Sequence, residues 1–156
     1  MSPKLKVMPT EELKKEIKTF LKQRKVLVLC TCSENVPRAT PMDFYIDDET
    51  DPDGFTIFVG LSPGRKVKNI EENPIVSIGI YTPIDSGKIQ GMQITASGSD
   101  NLIFLKDGDP DFNRVQEIVK GKRDLILKII PETIELLDYD FSKRGYSRFQ
   151  MLIINS

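Results

Sequence analysis

The stretch that decides the fold is F-T-I-F-V-G-L-S-P-G-R-K-V-K-N-I-E-E-N-P-I-V-S-I-G-I-Y, residues 55–81. Its first residues, Phe55 to Gly60, are aromatic and β-branched and predict a strand. The L-S-P-G run at 61–64 predicts a turn, because proline presets φ and glycine tolerates positive φ. A short basic helix beginning near Arg65, an Asn-Pro stop at 73–74 and a second strand complete the unit.

The start of this helix has the properties of an anion site. The first turn of a helix has free backbone N–H groups and a positive dipole end, which suit a phosphate or a carboxylate. Arg65 and Lys66 add two positive charges there, and an arginine can bind two phosphate oxygens at once. A solvated basic helix is the alternative. The turn chemistry beside the charges favours the anion site.

Composition excludes several classes of function. The 156 residues fit one domain, 1–156, that is long enough to bury a core. Lys plus Arg is 22 against 23 Asp plus Glu, so the charge balance does not indicate a nucleic-acid partner. The absence of histidine excludes a Ser-His-Asp triad and a histidine-based zinc site.

The two cysteines, Cys30 and Cys32, lie two positions apart in an apolar run. On a strand they point to the same face, which is poor geometry for a mutual disulfide, and C-x-C lacks the second ligand pair of a zinc site. We interpret them as small buried core residues of a reduced protein. No run has signal-peptide or membrane-spanning character, so we expect a cytoplasmic protein with no membrane partner.

Before the deciding stretch, the pattern predicts a helix capped by Thr10 and a hairpin. The hairpin strands are 25–32 and 36–46, with a turn at Ser33-Glu34-Asn35. Pro37 and Pro41 cannot donate ladder hydrogen bonds, so part of the second strand should be an edge or carry a bulge.

One face of that second strand carries a further candidate anion contact. On a regular strand Arg38, Thr40 and Met42 point the same way. An arginine beside an unpaired backbone edge is suited to an anion, and backbone groups released by the prolines could face a ligand.

The acidic run D-D-E-T-D-P-D-G, residues 47–54, has an incomplete resemblance to a calcium loop. The first half of an EF-hand loop is matched by Glu49, Asp51, Asp53 and Gly54. The closing glutamate would fall at Gly60, and Pro52 disturbs the loop, so we predict an acidic hairpin loop without metal.

The rest of the chain predicts further short strands and a third helix. The strand at 91–98 carries Gln93, whose amide suits the edge of a flat heterocycle but is equally an ordinary exposed strand residue. Residues 102–105 are expected to continue this strand past a bulge at Gly98. A helix is predicted after Asp109-Pro110, ending at Gly121, followed by strands at 125–130, 133–139 and 147–154. This pattern favours a mainly β (α+β), closed or nearly closed antiparallel barrel whose ends are covered by helices.

Three motifs in order give the chain a family resemblance: P-R-A-T-P-M at 37–42, S-P-G-R-K-V-K-N-I-E-E-N-P at 62–74 and Q-I-T-A-S-G at 93–98. They resemble the pyridoxamine 5'-phosphate oxidase-like, FMN-binding split-barrel superfamily over most of the chain. The resemblance implies an antiparallel split β-barrel with about three covering helices, and a homodimer with FMN at its interface.

The same resemblance implies which residues contact the flavin. The strand residues that match the family's phosphate and ring contacts are Arg38, Ala39, Thr40 and Pro41. The residues that match its phosphate site are Ser62, Arg65 and Lys66, and Gln93 matches a ring contact.

The chain departs from the enzyme that names the family. Asp43 stands where that enzyme has a basic residue, and the histidine of its C-terminal substrate motif is missing. We therefore do not expect vitamin B6 oxidase activity. The C-terminal residues Lys143, Arg144, Tyr146 and Arg148 could reach a ligand from a partner chain, although a solvated basic loop is favoured.

Three functions remain open from the sequence. The first is an FMN-dependent oxidoreductase or flavin reductase that uses a small-molecule electron donor or acceptor, with no catalytic side chain identified. The second is a non-catalytic module that stores or senses flavin. The third is a split barrel with a deazaflavin, while haem is disfavoured because histidine, its usual axial ligand, is absent.

Overall fold

The structure is a computed structural model that describes residues 5–52 and 54–154. Its helices are α1 (Thr10–Lys22), α2 (Arg65–Glu72) and α3 (Phe112–Val119). The first five strands are β1 (Val26–Ser33), β2 (Val36–Asp43), β3 (Tyr45–Ile46), β4 (Ile57–Leu61) and β5 (Ile75–Tyr81). The others are β6 (Gln90–Ser97), β7 (Leu102–Lys106), β8 (Leu125–Ile129), β9 (Thr133–Asp138) and β10 (Phe149–Ile153). Short 3₁₀ helices span Ile84–Ser86 and Tyr139–Arg144.

The strands form two antiparallel sheets around one main core. The larger sheet has the order β10-β9-β6-β5-β1-β2, and the smaller has the order β3-β4-β8-β7. Apolar side chains of both sheets and of α1 pack into a single cluster. This arrangement confirms the prediction of a mainly β, α+β split barrel with three covering helices.

The hairpin of β1 and β2 has a two-residue turn. Glu34 and Asn35 both have positive φ, 54° and 61°, as a primed hairpin turn requires. The pairing is continuous from Val26 opposite Asp43 to Ser33 opposite Val36. β2 lies at the edge of the larger sheet, so the predicted edge strand is confirmed and its prolines are accommodated without a bulge.

The predicted strand 36–46 is divided between the two sheets. Phe44 is buried in the core, 5% exposed, and its N–H donates to the carbonyl of Lys25 at 3.0 Å. The chain then enters β3, which pairs with β4 in the smaller sheet. The chain therefore passes from the larger sheet to the smaller one just after Phe44.

Other local predictions are wrong, and one is the cap of α1, because Pro9 precedes this helix, Thr10 is its first residue and no side chain caps it. Gly98 does not form a bulge within one strand. It has φ 86° and begins a turn that delivers β7 to the smaller sheet, beside β8. α3 is preceded by Asp111 rather than Asp109, and Lys120 rather than Gly121 takes the left-handed conformation after its last residue, with φ 52°.

Cys30 and Cys32 are free and partly exposed, which corrects the prediction that they are buried. Alternation along β1 turns Leu27 and Leu29 into the core, so both cysteines lie on the opposite face. We call that face the outer face of the larger sheet.

Candidate functional site

The helix with the predicted anion site begins where expected. α2 begins at Arg65, preceded by Gly64 in extended backbone with φ 161°, and no side chain caps its first turn. The turn therefore does not use the positive φ that we predicted for glycine. The free N–H groups at this end remain available to an anion.

α2 is fixed to β1 by a buried hydrogen bond. Asn69 Nδ2 donates to Thr31 Oγ1 at 3.1 Å, and both residues are less than 5% exposed. At the other end of the helix Ser33 Oγ donates to Glu72 Oε2 at 2.5 Å, close to the hairpin turn. The helix start, with Arg65 and Lys66, therefore points away from the hairpin turn.

Arg38 lies on the same side of the larger sheet as α2. It pairs with Thr31 across the β1–β2 ladder, and Thr31 is the residue that accepts from Asn69. Among the described residues, Arg38, Arg65 and Lys66 form no ion pair, whereas Lys68 of the same helix lies 3.7 Å from Glu72. The helix start thus has unneutralised positive charge.

The remaining predicted residues fall on both faces of β2. Thr40 alternates with Arg38 on the α2 side, and Ser62 is exposed in the turn before α2. Ala39 and Pro41 pair with Cys30 and Val28, so they lie on the outer face. β2 is therefore the strand where the two groups of predicted residues meet.

Gln93 belongs to the outer face, where it lines a hollow of about 430 Å³. A row of paired residues crosses this face from Pro41 through Val28 and Gly79 to Gln93. Gln93 lies three strands from Pro41, or about 14 Å at the usual spacing of ~4.8 Å between strands. Because α2 lies on the other side of the sheet, a ligand contacting both Gln93 and the α2 start would have to pass around the β2 edge.

Two glycines that sequence reasoning missed make the floor of this hollow flat. Gly79 and Gly91 both line it, and a Cβ at Gly79 would meet no atom within 4 Å. Side chains from three strands form its wall: Tyr81 of β5, Glu135 and Leu137 of β9, and Phe149 of β10. A planar apolar group fits such a surface. The period-2 pattern of β5 and β6 contained the signal, since both glycines share a face with Gln93.

The C-terminal basic residues are engaged within this chain. Arg144 pairs with Glu12 and, at 2.7 Å, with Glu16 of α1, and Tyr146 donates its hydroxyl to Glu12 Oε2 at 2.8 Å. These bonds, first that of Tyr146 and then that of Arg144, hold the pKa of the Glu12 carboxyl below its ordinary value. Arg144 and Tyr146 thus fasten the C-terminal segment to α1 rather than form a solvated loop.

The acidic loop uses its carboxylates internally. Asp47, 3% exposed, accepts from the Thr50 N–H at 3.1 Å, from the Thr50 hydroxyl at 2.5 Å and from Arg114 at 3.3 Å. Burial alone would raise the pKa of Asp47, but these hydrogen bonds outweigh it and the pKa is lowered. Asp53 of the calcium-like pattern lies outside the described residues. Among those described, no three His, Cys, Asp or Glu side chains are grouped as metal ligands.

The two antiparallel sheets with their three helices define the class of the protein, a split β-barrel. The sequence model of pyridoxamine 5'-phosphate oxidase matches residues 13–124, and the chain belongs to that family. No curated protein matches the chain significantly. In the described part of the chain, every helix is too short or too polar to cross a membrane.

Solved structures share the fold at low identity. General Stress Protein 26 from Bacillus anthracis has a TM-score of 0.63 at 18% identity, over 92% of this chain and 99% of that chain. A FAD-binding protein from Mesorhizobium loti has a TM-score of 0.57 at 14% identity, over 78% of this chain and 90% of that chain. A haem-binding protein from Mycobacterium smegmatis has a TM-score of 0.63 at 13% identity, over 95% of this chain and 60% of that chain.

Proposed function

We propose that the protein is a homodimeric FMN-binding flavoprotein that acts as an oxidoreductase or flavin reductase. The observation that carries this proposal is the uncapped start of α2 with Arg65 and Lys66 in its first turn, on the same side of the sheet as Arg38, and none of the three cations forms an ion pair among the described residues. Family membership and the FAD-binding protein of similar fold support a flavin as the ligand. Positive charge beside free helix N–H groups suits the monophosphate end of FMN.

Each group of residues has a separate task in this proposal. Arg65, Lys66 and Arg38 neutralise the phosphate, with Ser62 and the free N–H groups of α2 as further donors. Ala39, Thr40 and Pro41 guide the flavin along β2, and the Gln93 amide bonds the ring edge. The bound flavin would supply the hydride or electron chemistry, while the chain positions it and excludes water.

The outer face supports the proposed homodimer. It exposes large apolar side chains near the hollow, including Tyr81 at 68%, Phe149 at 48% and Ile153 at 60%. Apolar surface rimmed by polar residues is typical of an interface. A second copy on this face would cover the hollow and remove water from a ring bound there.

One other ligand and one other role are compatible with the same barrel. A deazaflavin would use the same phosphate site, and a flavin store or sensor would use every proposed contact without turnover. Haem is disfavoured although a haem-binding protein shares the fold, because this chain has no histidine to serve as the axial ligand. We propose a reduced, cytoplasmic setting from the two free cysteines.

An absorption spectrum of the purified protein tests the cofactor directly. We expect flavin bands that survive dialysis after addition of FMN, with one FMN per protomer and weaker retention of riboflavin. Reduction of the bound flavin by NADH or NADPH would support the oxidoreductase and argue against the store or sensor. Loss of all flavin on dialysis, with no saturable titration, would refute the proposed cofactor.

A further inference from the structure

Glu135 is the one charged residue among the described residues that line the hollow of the outer face. Its partner across the ladder between β6 and β9 is Gln93. The two side chains therefore lie side by side on this face, and directly opposite residues of an antiparallel pair have Cβ atoms about 5 Å apart. Gln93 was predicted to contact the ring, whereas Glu135 has no role in the function proposed so far.

The protein itself does not engage either side chain. Among the described residues, Glu135 and Gln93 form no side-chain hydrogen bond and no ion pair, either with each other or with a third residue. The neighbours of Glu135 on the same face include Leu137, two positions along β9, and Met151, opposite it on β10. The described part of the chain therefore leaves the carboxylate in an apolar surrounding without a cation.

This arrangement becomes unfavourable when the outer face is covered. Glu135 is partly exposed, and in water such a carboxylate is hydrated and needs no protein partner. A second copy on this face, as proposed above, would remove that water. An ionised carboxylate that is buried without a hydrogen-bond donor is strongly destabilising. The covered hollow therefore requires a ligand that supplies a donor to Glu135.

The two side chains together define the edge of that ligand. A carboxylate only accepts hydrogen bonds, whereas the amide of Gln93 can also donate through its NH₂ group. Side by side, they complement an edge on which an N–H group lies next to a carbonyl oxygen. The imide edge of an isoalloxazine ring has this pattern, because its N–H lies between two carbonyl groups.

We propose that Glu135 is a specificity-determining residue of the ring site, whose carboxylate accepts the imide N–H of the flavin while Gln93 donates to the neighbouring carbonyl. This inference rests on the proposed function, since it takes a flavin as the ligand. It adds an electrostatic consequence to that function. A negative charge beside the ring opposes the negative charge that the ring gains on reduction, so Glu135 lowers the midpoint potential of the bound flavin.

Titration of the apo protein with FMN and with FMN methylated at the imide nitrogen tests this hydrogen bond, because the methyl group replaces the N–H. Both ligands carry the phosphate, so the contribution of α2 cancels in the ratio of their Kd values. We expect the unmutated protein to bind FMN about tenfold more tightly than the methylated form, since a charge-assisted bond is lost.

Two variants separate the hydrogen bond from crowding by the methyl group. Glu135→Leu has similar bulk without an acceptor, so it should reduce the preference for FMN to about twofold, whereas a preference caused by crowding would persist. Glu135→Gln keeps an acceptor oxygen and should keep most of the preference. Its bound FMN should have a more positive midpoint potential, because the carboxylate charge is gone.

The matched control is Glu117→Gln, which removes the same charge from an exposed position on α3 outside the hollow. It should change neither the preference nor the potential. An undiminished preference in Glu135→Leu, or an unchanged potential in Glu135→Gln, would overturn the role of Glu135 while FMN binding stands. Absence of FMN binding by the unmutated protein would refute the proposed function and this inference with it.

Discussion

The α2 anion site predicts a specific loss of phosphate recognition in Arg65→Ala/Lys66→Ala. Both side chains lie in the first turn of α2 and form no ion pair among the described residues, so their removal breaks no ion pair of the free protein. Folding should therefore be unaffected. FMN should lose two charge-assisted contacts.

The expected magnitude follows from exposure. Charge-assisted hydrogen bonds contribute about 1.5–3 kcal/mol each, and Arg65 is exposed while Lys66 is partly buried, so the lower end applies. Two such contacts amount to about 3 kcal/mol, or roughly a hundredfold in Kd. The loss should shrink as salt is added, because exposed charges are screened.

The assay is a fluorescence titration of the apo protein with FMN and with riboflavin, which lacks the phosphate. The matched control is Lys68→Ala, which removes the same charge from the same helix at a residue already 3.7 Å from Glu72. We expect the double variant to lose FMN affinity and keep riboflavin affinity, and the control to keep both. Unchanged FMN affinity, or an equal loss for riboflavin, would refute the phosphate assignment.

Three further predictions concern the ring site, the acidic loop and the fastening of α2. Gly79→Leu should weaken FMN binding about tenfold, because the new side chain fills the floor of the hollow. Thr95→Leu, also on the outer face, is the control in the same titration. Unchanged binding by Gly79→Leu would show that the flavin ring does not lie on this surface. Because the pKa of Asp47 is lowered by folding, its contribution to stability is present above its unfolded value and is lost as pH falls through the folded pKa. Urea unfolding should therefore show a smaller acid loss for Asp47→Asn than for the unmutated chain, and parallel pH profiles would contradict this. Asn69→Leu should lower the free energy of unfolding in urea by about 1–3 kcal/mol, because it leaves the Thr31 hydroxyl unpaired. It should also weaken FMN binding. The control Glu71→Gln should change neither the stability nor the binding. A stable Asn69→Leu variant with full FMN affinity would show that this bond does not position α2.

Local chemistry made parts of this structure predictable. α2 begins at the predicted Arg65 because a Ser-Pro-Gly turn precedes it, and it ends before Asn73-Pro74, which cannot continue a helix. The two prolines of β2 likewise predicted that it is an edge strand, because they cannot donate ladder hydrogen bonds. These features depend on backbone constraints of single residues.

The failures involve contacts between distant parts of the chain. β7 pairs with β8, which lies about twenty residues further along the chain, and this pairing places β7 in the smaller sheet. No residue in or next to β7 indicates that partner. Arg144 seemed a free cation because Glu16, its partner, is 128 residues away in the sequence. The outer hollow depends on glycines in neighbouring strands, and it becomes visible only when the register is known.

The two prolines of β2 also affect how the protein behaves at high concentration. An edge strand usually offers a row of N–H and C=O groups onto which another chain can add. Because the β1–β2 ladder is continuous through Pro37 and Pro41, their ring nitrogens face away from β1, towards the open side. An incoming strand would find acceptors there but few donors. The sheet can therefore offer its apolar outer face for pairing while β2 resists strand addition and the open-ended aggregation that it would cause.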